Sequence, residues 1–316
     1  MTEGRSCPLA YRYSAARLCE QPMTVTEEVL YVVGGLYGNP YALTEIERMA
    51  RAEERAGRRV RMVFNGDFNW FNADDELFQD INRRVLKHTV CLGNVEYELA
   101  HPSAEAGCGC AYPDFVEQGV VERSNRIMTR LQGVADKHPA IQAELARQPR
   151  YLCLMFGGLK ILVVHGDPDS LAGWGLAHEQ FQAGNAAGVE QWFRITDADI
   201  IASTHTCLPV LWSGQVDQRA RTVVNNGSAG MGNLQADGRG LITRISLEAG
   251  ADGAAAGHQH GAVRVALMPV AFDAEAWLPH FDALWPAGSD AAESYRARIV
   301  HGTSLAPERM IFGAGA

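Results

Sequence analysis

Five loops of this sequence place polar side chains directly after apolar segments. They lie at residues 34–39, 66–67, 93–94, 165–166 and 203–205. Carboxylate, amide and imidazole groups in such loops can bind a metal ion or transfer a proton. Taken singly, a Gly-Asp pair is usually a turn, and a histidine such as His165 is usually a hydrogen-bonded structural residue. The order and spacing of the five loops together indicate one shared site.

The apolar segments before these loops predict the elements that must position them. Strands are predicted before the loops that contain Asp67 and Asn94, and amphipathic helices are predicted over about 42–56 and 74–88. Because this strand–loop–helix order repeats, a parallel α/β layer is expected, with its loops at the carboxyl edge of the sheet. The first loop lies in YVVGGLYGNP at 31–40, after a predicted strand. It contains a glycine turn but neither an acid nor a histidine.

The second half of the chain predicts a different, mostly antiparallel plan. Further elements are predicted as one or two helices over about 114–147, a hairpin over 151–164, strands near 200–205, 240–247 and 262–271, and helices near 273–284 and 290–299. The low-complexity stretch 250–261 predicts a flexible hairpin tip, so that His258 and His260 are expected in an exposed loop. We therefore predict an N-terminal extension at 1–27 and a single domain at 28–316, with a helical insertion at about 100–148 that caps the site.

Composition excludes several classes of function. The 316 residues are 47% hydrophobic and 21% charged, which is typical of a globular protein with a large core. The net charge of −9 and the lack of a basic stripe argue against a nucleic-acid-binding protein. No membrane span and no signal peptide are expected, because no long apolar run is present. Seven cysteines without a regular spacing predict free thiols and a cytoplasmic location.

The order of the five loops resembles that of the calcineurin-like metallophosphoesterases. That family carries Asp-x-His-Gly-Asn, Gly-Asp, Gly-Asn-His-Asp/Glu, His-Gly and Gly-His-x-His motifs. The segments GLYGNPYAL, VFNGDF, CLGNVE, ILVVHGDP and IIASTHT are similar to these motifs in the same order, and VVNNGSAG resembles the segment that follows them. The resemblance covers about residues 28–270. It implies a four-layer α/β/β/α sandwich of two mixed sheets, with two metals at the strand ends.

The resemblance also implies roles for particular residues. Asp67, Asn94, His165 and His205 are expected to bind one or two divalent ions of Mn, Fe or Zn, and Asp67 and His205 are expected to be catalytic. The implied reaction is hydrolysis of a small phosphate monoester or diester, with metal-bound hydroxide as the nucleophile. No nucleic acid or membrane partner is expected.

The sequence departs from the family pattern at four positions. Gly35 and Tyr37 stand where the first motif has aspartate and histidine, Val95 stands where the third has its proton-donating histidine, and Ser203 stands where the fifth has its first histidine. Glu96 keeps the acidic end of the third motif. One of the two metal positions therefore keeps most of its ligands, whereas the other loses half of them.

Three functions stay open on these grounds. The preferred one is an atypical metal-dependent hydrolase with one metal, or with two metals differently bound. The second is an inactive scaffold that binds a metal, a small ligand or a protein, in which bulky side chains such as Tyr37 fill the site. The third is a different metal centre with new ligands. The tentative metal or pocket residues are Tyr37, Ser203, Glu96, Cys108 and Cys110.

Overall fold

Two mixed sheets form the framework of the computed structural model, which describes residues 3–103, 105–247 and 253–313. The strands are β1 Met23–Thr24, β2 Val29–Val33, β3 Val60–Asn65, β4 Thr89–Cys91, β5 Tyr151–Phe156, β6 Leu159–Val164, β7 Ile200–Ser203, β8 Pro209–Val216, β9 Arg219–Asn226, β10 Gly240–Ser246, β11 Ala256–His260, β12 Val263–Val270 and β13 Ile311–Gly313. The helices are α1 Pro40–Arg55, α2 Asp75–Val85, α3 Asn94–Ala100, α4 Gln118–Ala135, α5 Pro139–Leu145, α6 His178–Gln182, α7 Ala186–Thr196, α8 Ala274–Leu284 and α9 Asp290–His301. Short 3-10 turns cover Leu9–Tyr11, Ala15–Arg17 and Pro307–Met310.

The strand order of each sheet brings distant segments together. The first sheet runs β11-β12-β10-β2-β3-β4, with β2, β3 and β4 parallel, as the repeated strand–loop–helix order predicts. The second runs β1-β5-β6-β7-β9-β8-β13, and β6, β7 and β9 are parallel within it. The second half is therefore mixed rather than mostly antiparallel.

The alternation of apolar side chains along the strands produces four layers. On β2, Leu30 and Val32 pack between the sheets against residues such as Ile161 and Val163 of β6. The alternate β2 residues, such as Tyr31, pack on the other side against α1 and its neighbouring helices. The outer face of the second sheet is covered by α6 and α7 in the same way. A strand that is buried on both faces has no polar alternation, which explains the continuous apolar run of β2.

The helices and strands of the chain match the sequence predictions in most places, with several exceptions. The strand predicted over TVCLGNVE ends at Cys91, and α3 begins at Asn94. Strands β1, β8, β9 and β13 were not predicted. The predicted hairpin tip is also wrong in part, because β11 occupies Ala256–His260 and buries His260, whose Nδ1 lies 3.0 Å from Thr222 Oγ1. Residues 250–252 of that stretch lie outside the described residues.

The N-terminal residues and the inserted helices pack onto this framework. Tyr11 is buried and donates a hydrogen bond of 2.6 Å to Glu98 of α3, and β1 pairs with β5. Helices α4 and α5 pack against α3, and α4 also packs against α9. The division into an extension at 1–27 and one domain at 28–316 with an insertion at about 100–148 stays a prediction.

Two expectations from composition can be compared with the described part of the chain. No helix there has both the length and the apolar character that a bilayer span requires. All seven cysteines lie in the described residues, and each is a free thiol.

Candidate metal centre

The polar side chains that follow the strands meet where the carboxyl ends of the two sheets come together. Asp67 follows β3 and Asn94 begins α3 after β4, and both strands belong to the first sheet. His165 follows β6 and His205 follows β7, and both strands belong to the second sheet. One donor atom from each of Asp67, His165 and His205 lies within 4.8 Å of the other two, and all three residues are buried.

His165 lies at the centre of this cluster. Its Nε2 is 3.3 Å from Asp67 Oδ1, 3.0 Å from Asn94 Oδ1 and 3.1 Å from His205 Nδ1. The four atoms converge from two sheets, and together we call them the acceptor cluster. The structure thus brings together the four ligands that the sequence predicted.

Backbone carbonyls outside the cluster fix the orientation of both imidazoles. His165 Nδ1 lies 2.8 Å from the Asn65 carbonyl oxygen, and His205 Nε2 lies 3.1 Å from the Cys110 carbonyl oxygen. A carbonyl accepts hydrogen bonds only, so each of these nitrogens carries the proton and donates. The other nitrogen of each neutral ring then presents a lone pair to the cluster, which is the arrangement found in metal-binding histidines.

Asn94 and Asp67 also direct oxygen lone pairs toward the acceptor cluster. Asn94 Nδ2 donates a hydrogen bond of 3.0 Å to the Cys108 carbonyl, which turns its Oδ1 toward the cluster. Asp67 Oδ1 is fully buried and has no hydrogen-bond donor of good geometry. When His165 is neutral, the cluster therefore consists of oxygen and nitrogen lone pairs, and a cation or a proton on His165 Nε2 can lie between them. This donor set fits a divalent ion such as Mn, Fe or Zn.

The ionisation of the three titratable groups follows from burial and mutual attraction. Burial opposes the charge on Asp67, but His165 and His205 outweigh it and lower the pKa of this carboxyl. Burial alone would lower the pKa of His165, but Asp67 attracts its proton and raises it. For His205, burial and the charge of His165 lower the pKa to about 4. The anionic Asp67 and the neutral His205 are thus already in the states that a metal ligand requires.

Glu96 holds the Asp67 loop from behind. Its carboxylate accepts hydrogen bonds from the backbone N–H groups of Asp67 at 2.7 Å, Phe68 at 2.9 Å, Asn69 at 3.1 Å and Gly93 at 3.2 Å. Burial and the charge of Asp67 raise the pKa of Glu96 to about 7. These contacts fix Asp67 with a φ of 54°, a left-handed conformation that non-glycine residues seldom adopt.

Two glycines allow the loops of the cluster to touch. A Cβ on Gly66 would meet the backbone of Gly93 and would lie 2.7 Å from His165 Nδ1, and the φ of Gly66 is +76°. A Cβ on Gly93 would lie 2.6 Å from Asp67 Oδ1. The Gly-Asp and Gly-Asn pairs of the sequence therefore mark places where backbones must come close.

Comparison with known proteins addresses the fold. No family model matches this sequence, and no curated protein matches it. A hypothetical protein from Pyrococcus horikoshii superposes with a TM-score of 0.57 at 15% identity, over 90% of this chain and 100% of the other. A metallophosphoesterase from Sphaerobacter thermophilus superposes with a TM-score of 0.53 at 14% identity, again over 90% of this chain and 100% of the other.

The chain has the metallophosphoesterase fold. The four-layer α/β/β/α sandwich that the sequence resemblance implied is thereby confirmed. At this low identity the likeness concerns the fold, and the chemistry must be judged from the side chains of this chain.

Tyr37 packs beside Gly35, the position at which the sequence resemblance expects an aspartate. Its ring lies 3.0 Å from the position that a Cβ on Gly35 would take, and Gly35 has a φ of +62°. The Tyr37 hydroxyl lies 2.6 Å from Cys207 Sγ. Burial and the neighbouring Cys207 raise the pKa of Tyr37 well above its usual value, so the phenol is neutral. Such a neutral phenol is not in the tyrosinate form that would bind a metal ion.

The other tentative residues have different positions. Cys108 and Cys110 contribute their carbonyls, which orient Asn94 and His205, and Cys110 also lines the pocket. Among the described residues, their sulfur atoms are not part of the group that could hold a metal. Ser203 Oγ is buried without a hydrogen-bond partner at the end of β7, and Ser203 does not line the pocket.

A small pocket with aromatic walls opens onto the acceptor cluster. It has a volume of about 50 Å³. The residues that line it are Tyr37, Asp67, Trp70, Asn94, Val95, Cys110, Tyr112, Trp174, His205, Cys207 and Tyr295. The loop before α4 supplies Cys110 and Tyr112, whereas α4 and α5 supply none of these residues. Sequence reasoning missed Trp70, Tyr112, Trp174 and Tyr295, because they come from separate segments without a common motif.

Proposed function

We propose that this chain is a metal-dependent phosphoesterase that holds one divalent ion of Mn, Fe or Zn among Asp67, Asn94, His165 and His205. The observation that supports this most strongly is the acceptor cluster itself. Four buried lone-pair atoms face one another, and the hydrogen bonds outside the cluster keep them in that orientation. Unpaired buried acceptors are unfavourable unless a cation or a proton lies between them.

Different residues of the chain would have different roles in the reaction. A bound divalent ion would polarise a phosphoryl oxygen and lower the pKa of a water molecule. Asp67 and the neutral His205 hold it, and Glu96 keeps Asp67 in place. The aromatic walls limit the access of bulk water. Val95 cannot protonate a leaving group, so esters whose leaving group departs as a stable anion are the expected substrates.

The test is hydrolysis that depends on both the metal and Asp67. Chelator-treated protein is expected to lose turnover of bis(4-nitrophenyl) phosphate, and added Mn, Fe or Zn is expected to restore it. Asp67→Asn removes the charge but keeps a residue that tolerates a positive φ. Asp197→Asn is a matched control, because Asp197 is an exposed acid with a φ of 53°. Turnover that survives Asp67→Asn, or that ignores the metal, would refute the proposal.

A second candidate is a metal-binding scaffold without turnover. It is favoured by the packing of Tyr37 over Gly35 and by Val95 at the place of a proton donor. The two candidates differ in one result. The scaffold binds the same ion but hydrolyses neither monoesters nor diesters.

A further inference from the structure

Tyr112 and Trp174 line the pocket, and Phe115, which does not line it, packs against Trp174. We call these three side chains the aromatic rim. The Trp174 ring lies 5.9 Å from the Tyr112 ring and 6.2 Å from the Phe115 ring, between centroids. Trp174 Nε1 donates a hydrogen bond of 2.9 Å to the Cys110 carbonyl, which fixes the plane of the indole. Trp174 also lies edge-to-face with His205, at 5.5 Å. The rim thus begins at the acceptor cluster and continues outward.

Phe115 is the outermost member of the rim and is 65% exposed. The loop that carries it is held in place, because Arg5 donates hydrogen bonds of 2.7 and 2.6 Å to the carbonyls of Pro113 and Val116. A large exposed aromatic side chain on a fixed loop contributes little to the core. Its position beside Trp174 instead suits contact with a planar apolar group of a ligand.

The charge of the pocket limits the charge of the ligand. Among the described residues, none of those that line the pocket is a lysine or an arginine. A divalent ion with the Asp67 carboxylate leaves one net positive charge. A monoanion would be neutralised by such a site, whereas the second charge of a phosphate monoester dianion would be buried without a partner.

The size of the pocket divides the ligand into two parts. The pocket is small, with a volume of about 50 Å³, and Tyr112 and Trp174 form part of its wall. We expect the phosphoryl group to occupy this space and the ester substituents to point outward, past Trp174 toward Phe115.

We infer that the site selects monoanionic phosphodiesters that carry at least one aromatic ester group, with that ring against Trp174 and Phe115. This inference rests on the proposed function and names its substrate class. The lack of a histidine at Val95 agrees with it, because an aryl oxide departs without being protonated.

Binding measurements separate the two determinants, charge and ring. Calorimetric titration of zinc-loaded protein would compare diphenyl phosphate with dimethyl phosphate, which lacks the ring, and with phenyl phosphate at a pH where it is a dianion. We expect diphenyl phosphate to bind most tightly, with about a tenfold loss of affinity for each of the other two.

One variant tests the rim directly. Phe115→Ala is expected to bring the affinity for diphenyl phosphate closer to that for dimethyl phosphate. Ile195→Ala is the matched control, because Ile195 is 41% exposed and lies in the last turn of α7, which precedes β7 at the far end of that strand from the site. Ile195→Ala should leave unchanged the ratio of the affinity for diphenyl phosphate to that for dimethyl phosphate.

The outcomes distinguish this inference from the proposed function. Binding of phenyl phosphate as tight as that of diphenyl phosphate, or a ratio that Phe115→Ala leaves intact, overturns the inference even if hydrolysis is seen. The expected order of affinities without hydrolysis of bis(4-nitrophenyl) phosphate supports the inference and overturns the proposed function.

Discussion

At the scale of single residues, Glu96 determines where Asp67 points. Four backbone N–H groups converge on its buried carboxylate, and two of them belong to Asp67 and Phe68. Hydrogen bonds to a charged acceptor are stronger than neutral ones. The strained backbone of Asp67 is thus stabilised by one side chain of α3.

Replacing Glu96 by glutamine tests this positioning role. The amide group keeps the size of the side chain but turns an NH2 toward backbone N–H donors. We expect the metal affinity to fall about 10- to 100-fold, and the free energy of unfolding to fall by about 1–3 kcal/mol. Competition with a chromogenic chelator and urea unfolding measure the two effects.

The matched control for this change is Glu98→Gln in the same helix. Glu98 is also buried, but it accepts from Tyr11 and from the Ser103 N–H, away from Asp67. It should lose stability without losing metal affinity. Equal losses of affinity in both variants would show that Glu96 has no special role in positioning Asp67.

Tyr37 gives a second prediction at this scale. Because its neutral hydroxyl contacts Cys207, we expect Tyr37→Phe to bind as much iron as the unchanged protein and to have the same visible spectrum. Metal analysis and absorption spectroscopy of the iron-loaded proteins test this. A charge-transfer band that disappears in Tyr37→Phe would instead identify a tyrosinate ligand.

At the scale of the elements, the site depends on how closely the turns after β3 and β4 approach each other. Gly66 lacks the Cβ that would meet Gly93 and His165, and its φ of +76° suits glycine. The contact between the two turns places Asp67 and Asn94 side by side. Packing of this kind is intolerant of an added methyl group.

Gly66→Ala should therefore lower the free energy of unfolding by more than its positive φ alone implies. Gly158 in the β5–β6 turn has a φ of +81°, and a Cβ there would have no neighbouring atom within 4 Å. Gly158→Ala should therefore cost only about 1–2 kcal/mol, whereas overpacking should add about 1–3 kcal/mol at Gly66. Urea unfolding measures both variants. Equal losses of stability would mean that the close approach of the turns is unimportant.

Local patterns account for the elements that the sequence predicted. Helix α1 has helical spacing of Leu43, Ile46 and Ala50, all of which are buried. Helix α3 escaped prediction because its seven residues are too few for a periodic pattern, although Glu96 stands three residues after Gly93, where a capping side chain is expected. Short elements of this kind are specified by contacts rather than by periodicity.

At the scale of the whole molecule, the acceptor cluster joins the two sheets. Asp67 and Asn94 come from one sheet, and His165 and His205 come from the other. The motifs predicted these four residues because each follows its own strand. They could not predict the pocket walls, since Trp70 and Tyr295 meet in an edge-to-face contact only after the chain has folded.

Because the proposed ligands come from both sheets, a bound metal ion should stabilise the folded chain. A ligand that binds only the folded state at 100 times its dissociation constant adds about 2.7 kcal/mol. We expect added Mn or Zn to raise the midpoint of thermal unfolding of the unchanged protein and of Asp197→Asn. The midpoint of Asp67→Asn should not respond, and a shift of similar size in that variant would place the ion elsewhere.

The metal content of the chain tests the central claim most directly. Protein purified without chelators would be analysed for Mn, Fe and Zn beside Asp67→Asn and Asp197→Asn. We expect one ion per chain in the unchanged protein and in Asp197→Asn, because Gly35 and Tyr37 stand where a second ion would need ligands, and no ion in Asp67→Asn. Two ions per chain, or an ion content that is the same in all three proteins, would contradict a single metal held by the acceptor cluster.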